Sequence, residues 1–147
     1  MAVSIDTGDQ HDIHPARKEP AGYRLAQEAL RLSFGKKGVT SSPRFQKMKI
    51  ENNCIRLSFV NAGSGLVCSG SKINGFAIAG KDGICHAADA KIVNTNEIVV
   101  SSANVAEPSK VFYAFCGYPG ELNLYNREGF PMTPFRTEVP DYLRDMP

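Results

Sequence analysis

At 147 residues the chain is long enough for one ordinary domain, or for one small domain and a piece of another. Hydrophobic residues make up 42% and charged residues 22%, a globular rather than a disordered composition. The net charge is +2, with Arg17-Lys18 and Lys36-Lys37 as pairs rather than patches, which argues against nucleic acid as a partner. No apolar run approaches the roughly 20 residues of a membrane span.

In chain order, residues 2–5 (Ala-Val-Ser-Ile) read as a short apolar strand suited to burial in a parallel sheet. It runs into a loop carrying Asp6, Asp9 and Asp12 with His11 and His14. In α/β proteins reactive groups gather at the carboxyl ends of strands, just before the next helix. An acid and a His on such a loop can supply the base half of a nucleophilic triad. His14 is the first candidate, because Pro15 biases it toward extended backbone and limits where the imidazole can point. Its ordinary pKa near 6.5 suits a general base. An exposed histidine beside an acidic cluster would give the same pattern. A metal reading, with His11, His14 and Asp9 or Asp12, lacks a fourth ligand. His86 reads as structural.

A helix is expected over residues 20–34. Pro20 in the first turn loses no hydrogen bond there, and Gly35 can take the left-handed cap. Arg24, Gln27, Glu28 and Arg31 fall at helical spacing on what reads as the wet face. Gly22, Ala26, Ala29 and Ser33, with Leu25, Leu30 and Leu32 beside them, read as the face that packs.

Residues 38–43 (Gly-Val-Thr-Ser-Ser-Pro) read as a linker. After it the period changes to two. Met48 and Ile50 precede the Asn52-Asn53 turn, and Ile55, Leu57 and Phe59 follow it, a hairpin signature. Phe76 and Ile78 lead to the Asp82-Gly83 turn. Then come Ala88, Ala90 and Ile92, the Asn94-Thr95-Asn96 turn, and residues 98–100. Residues 110–116 form the last strong strand, with Val111, Tyr113 and Phe115 on one face. Short strands with turns at this spacing predict an antiparallel β-sandwich over residues 44–137, with Ile55, Leu57, Phe59, Phe76, Ile78, Val111, Tyr113 and Phe115 inward.

The tail of the chain, from Asn123 to Arg136, holds Pro131, Pro134 and Gly129, which exclude a central strand. It is expected as an ordered arm threading aromatics over a surface, either to bind sugar or to dock on a neighbouring domain. Cys54, Cys68, Cys85 and Cys116 contain no C-x-x-C pair and read as four part-buried free thiols.

These residues resemble the C-terminal part of the sialate O-acetylesterase family, within the SGNH (GDSL-type) hydrolases. The matching stretches are residues 2–9 (Ala-Val-Ser-Ile-Asp-Thr-Gly-Asp), Asp12-Ile13-His14-Pro15 and Gly22-Tyr23-Arg24-Leu25-Ala26. Further matches are residues 75–80, Val99-Val100-Ser101-Ser102, Asn123-Leu124-Tyr125-Asn126 and Pro134-Phe135-Arg136-Thr137. They cover nearly the whole chain in the family's order. The resemblance implies ester hydrolysis by a serine, with His14 as the general base. The family's acid often stands three residues before the His, where this chain has His11. Asp12 is then the first choice for the acid and Asp9 the alternative. A Gly-x-Ser-Asn nucleophile turn is absent, and neither Ser64 nor Ser71 has the strand–turn–helix context of an elbow.

The fold class expected is therefore mainly β: a C-terminal antiparallel β-sandwich preceded by a strand–loop–helix remnant of an SGNH α/β hydrolase domain. Residues 1–37 would be that remnant, 38–43 the linker, and 44–147 the β-sandwich accessory domain with its C-terminal arm. The partners implied are an O-acetylated sugar and a missing N-terminal hydrolase region that supplies the nucleophile. No cofactor and no metal are implied, and the chain alone is expected to be inactive. A non-catalytic β-domain for carbohydrate binding or for bracing an enzyme is the rival reading. Asp6 and Asp9 interrupt any signal-peptide core after Met1, and a secreted or periplasmic location of a full-length protein stays open.

Overall fold

In the computed structural model the described residues are 1–138. The fold is mainly β. Among the described residues a single helix, α1 (Glu19–Phe34), precedes ten strands: β1 (Arg44–Glu51), β2 (Cys54–Val60), β3 (Leu66–Cys68), β4 (Phe76–Ala79), β5 (Cys85–Ala87), β6 (Asp89–Asn94), β7 (Glu97–Ser101), β8 (Lys110–Tyr113), β9 (Leu124–Asn126) and β10 (Phe135–Arg136). They form two four-stranded antiparallel sheets, ordered β1-β2-β7-β6 and β10-β8-β4-β5, and a two-stranded ribbon of β3 and β9.

The turns fall where the sequence places them. Glu51 pairs with Cys54 across a two-residue Asn52-Asn53 turn, and Asn52 takes φ 55°, the left-handed conformation that asparagine tolerates. The second turn closes with the Gly83 N–H donating to the Gly80 carbonyl. Alternation then sorts side chains into one shared core. Ile55, Leu57, Phe59, Ile98 and Val100 come from the first sheet, and Phe76, Ile78, Val111 and Tyr113 from the second; all are buried in a single cluster.

Five expectations need correction. Residue Phe115 is 52% exposed rather than inward. Strand β8 ends at Tyr113 because Ala114 turns to φ 48°, which breaks the alternation, and the Arg136 guanidinium then covers the Phe115 ring at 4.9 Å.

The tail does not run over a surface. Phe130, Met132 and Phe135 are buried, and β9 and β10 pair with β3 and β8. Phe135 stacks on Phe45 at 4.9 Å and meets Phe59 edge-on at 5.7 Å, so the arm completes the core it was expected to decorate. Pro131 and Pro134 sit outside its short strands, which leaves those ladders intact. Residues 139–147 of the expected accessory domain lie outside the described residues.

Residues 2–5 form no strand. They run irregularly, with the Thr7 N–H and hydroxyl both bonded to the Ser4 carbonyl. Among the described residues no strand lies alongside to complete their ladder, and an unpaired segment has nothing to hold it extended.

Finally, Cys85 and Cys116 are exposed, whereas Cys54 and Cys68 are half-buried; all four are free. The 38–43 stretch is also less open than a linker, with Thr40, Ser42 and Pro43 buried. The Thr133 N–H donates to the Pro43 carbonyl at 3.0 Å, tying the stretch to the tail.

Candidate functional site

The helix that follows the His-bearing loop leaves Leu25, Ala29 and Leu32 exposed, as expected of a packing face without its sheet, but buries the polar stripe expected to be wet. Arg24 and Glu28 are its buried residues, while Leu25 and Leu32 are 62% and 68% exposed and Phe34 is exposed too. Arg24 has a buried partner, Asp6, whereas the partners of Glu28, Arg31 and the N-terminal amine, both reach solvent. Arg24 donates to both carboxylate oxygens of Asp6, at 2.6 and 2.9 Å, and to the Val3 carbonyl at 3.1 Å. Glu28 accepts from Arg31 at 2.9 Å. Helical spacing finds the polar stripe but not which side it faces.

The Asp6 and Arg24 side chains are only 6% and 7% exposed. The Tyr125 hydroxyl, from β9, donates to the same carboxylate at 3.1 Å. One carboxylate therefore joins the N-terminal segment, α1 and the β-domain. Burial by itself would push the Asp6 carboxyl up. The Arg24 hydrogen bonds and charge outweigh it, helped by Asp6's own backbone and by Tyr125, and hold the carboxyl below its ordinary value. Burial, then the neighbouring Asp6 charge, pushes the Tyr125 phenol up, so it stays a donor. A second contact, Tyr23 stacked on Phe130 at 6.3 Å, adds to the same junction. No sequence pattern pairs Asp6 with Tyr125, 119 positions away.

Beyond this anchor the loop makes two successive Asx turns. The His11 N–H donates to Asp9 Oδ1 at 2.8 Å, and the His14 N–H donates to Asp12 Oδ1 at 2.7 Å. Asp12 and His14 are thus brought together through the backbone, and among the described residues no hydrogen bond joins the imidazole to a carboxylate. His11, Asp12 and His14 are exposed, as is Asp9. Asp9 alone of these four lines a cleft, of about 600 Å³, between this segment and the 117–123 loop. Among the described residues no group of three His, Cys, Asp or Glu side chains could hold a metal ion.

Ser64 lies in the turn before β3, where its N–H and hydroxyl bond Glu128. Ser71 lies in the loop after β3. Neither is followed by a helix. His86 sits on β5 opposite Ile78.

A mainly-β module tied to a His-bearing loop is thus what this chain presents, and it resembles part of an esterase. The chain is similar to a solved carbohydrate acetylesterase from Xanthomonas citri, with 38% sequence identity and a TM-score of 0.88. The match covers 94% of this chain and 32% of that protein, so the chain spans about a third of its relative's length. No protein-family model matches the chain, and no curated protein matches it either.

Proposed function

We propose that this chain is the C-terminal portion of a carbohydrate O-acetylesterase of the sialate O-acetylesterase type, an SGNH hydrolase. The observation that carries this reading is the 38% identity to a carbohydrate acetylesterase over 94% of the chain. In this reading a serine from a region outside the chain attacks the acetyl carbonyl, and His14 takes the hydroxyl proton. The imidazolium returns that proton to the leaving sugar oxygen, and His14 then activates water to release acetate.

Asp12, with Asp9 as the alternative, orients the imidazole. The Asx turn at Asp12 supports this role in part, since it sets the backbone from which the imidazole projects. The β-domain's part is to brace the loop through Asp6, Arg24 and Tyr125, which absorbs the rival reading of a bracing module.

The test is turnover of p-nitrophenyl acetate by the complete enzyme. His14→Ala should lower kcat by several orders of magnitude, about the loss seen for other triad members. Asp12→Asn should cost less, because the imidazole still accepts a proton in a poorer tautomer. A crippling Asp9→Asn beside a nearly silent Asp12→Asn would transfer the acid role to Asp9. Full activity of His14→Ala would end the reading. The present chain alone should hydrolyse the ester at background rate, since it lacks an elbow serine to form the acyl intermediate.

A further inference from the structure

The cleft beside the Asx turns has a wall that the catalytic reading does not use. One side is the N-terminal segment with Asp6, Asp9 and Arg17; the other is the loop that follows Cys116, with Tyr118, Glu121 and Asn123. Its volume, about 600 Å³, falls within the range of sites that enclose small organic ligands.

The loop wall is preformed. The Asn123 side chain accepts from the Asn74 N–H at 2.9 Å and donates to the Ser69 and Lys72 carbonyls at 3.0 and 2.8 Å. The Asn74 amide in turn donates to the Glu121 carbonyl at 3.1 Å. These bonds use both donors of the Asn123 amide in holding the loop, and Tyr118, 51% exposed, remains as an aromatic surface at the rim.

The charges decide what such a cleft accepts. Asp6 is neutralised by Arg24. The remaining charged groups of the lining are Asp9 and Glu121 against Arg17, two negative and one positive, a net charge of −1. A ligand carboxylate would meet two like charges for one opposite charge. Sugar hydroxyls suit the same set, donating to the carboxylates and accepting from the guanidinium, while a pyranose C–H face lies on the Tyr118 ring. We propose that this cleft is a glycan subsite and that it takes a short uncharged oligosaccharide in preference to an acidic one such as a sialoside. The inference rests on the esterase reading for its place beside the reacting loop, but its test needs no turnover.

The full chain is titrated with neutral trisaccharides (cellotriose, maltotriose and mannotriose) and with sialyllactose, following backbone amide shifts by NMR. At least one neutral sugar should saturate, with shifts concentrated at Arg17 and the 117–123 loop. Tyr118→Ala should weaken its binding about tenfold, the equivalent of one aromatic contact, and Tyr118→Phe should retain it. Glu121→Gln should narrow the gap between sialyllactose and the neutral sugars. The proposal is overturned if sialyllactose binds more tightly than every neutral sugar, if no sugar binds at millimolar concentration, or if Tyr118→Ala binds as the parent does. Loss of binding, with His14-dependent turnover intact in the complete enzyme, would remove the subsite and leave the esterase. Binding, with no His14-dependent turnover in the complete enzyme, would do the reverse.

Discussion

Replacing Arg24 by Met tests whether the buried charge pair, rather than apolar packing, fixes α1 and the N-terminal loop. Met keeps much of the volume and removes the guanidinium, leaving the Asp6 carboxylate buried with only the Tyr125 hydroxyl as a side-chain partner. With side chains 6% and 7% exposed, the pair belongs to the buried class, where removing one partner costs about 3–5 kcal/mol. For a chain of this size each kcal/mol moves Tm by roughly 2–4 °C, so a fall of about 6–20 °C is expected by calorimetry.

The double variant Asp6→Asn/Arg24→Met should lose less than Arg24→Met alone, because no unpaired charge remains. Acid should erase the difference between parent and Arg24→Met. The Asp6 carboxyl is held below its ordinary value of 3.8, so its stabilising contribution is complete above that pH and disappears as pH falls through the lower folded value. Melting of Arg24→Met within 1 °C of the parent at pH 7, with unchanged hydrogen exchange at Val3 and Thr7, would refute a fixing role for the charge pair.

The tail's role in the core predicts that Phe135→Ala costs about 3–5 kcal/mol, read from denaturant unfolding, since it removes a ring packed against Phe45, Phe59 and Tyr113. Gly75→Ala should also destabilise: the residue sits at φ 88°, and an added Cβ would lie 2.7 Å from Leu122 Cδ2 and 3.3 Å from Tyr113 Cε2. Among the described residues the buried Tyr113 hydroxyl has no hydrogen-bond partner, so Tyr113→Phe should be neutral or slightly stabilising; a loss of more than about 1 kcal/mol would show a partner for it. Amide exchange should be faster across residues 8–18, held chiefly by exposed Asx turns, than in β2 and β7 at the centre of their sheet.

Period-two alternation and turn chemistry are local, and both were legible in the sequence. Asn52-Asn53 and Asp82-Gly83 mark their turns, and Ile55, Leu57, Phe59, Phe76 and Ile78 all point into the core. The helix limits were legible too, since Pro20 and Gly35 act on their own turns. Which way that helix faces was not, because its polar stripe is buried only if Asp6 and Arg24 find each other through space. Burial of the tail was hidden for the same reason: Phe135 becomes core only when β10 joins β8 and reaches Phe45 from the other sheet. For the site, the motif names His14, Asp12 and Asp9 as chemistry-bearing residues. The cleft beside Asp9 exists only because Tyr125 and the 117–123 loop are folded against that loop from the far end of the chain. Local signals act over a few residues of backbone, whereas facing, burial and cleft charge depend on long-range contacts that no spacing encodes.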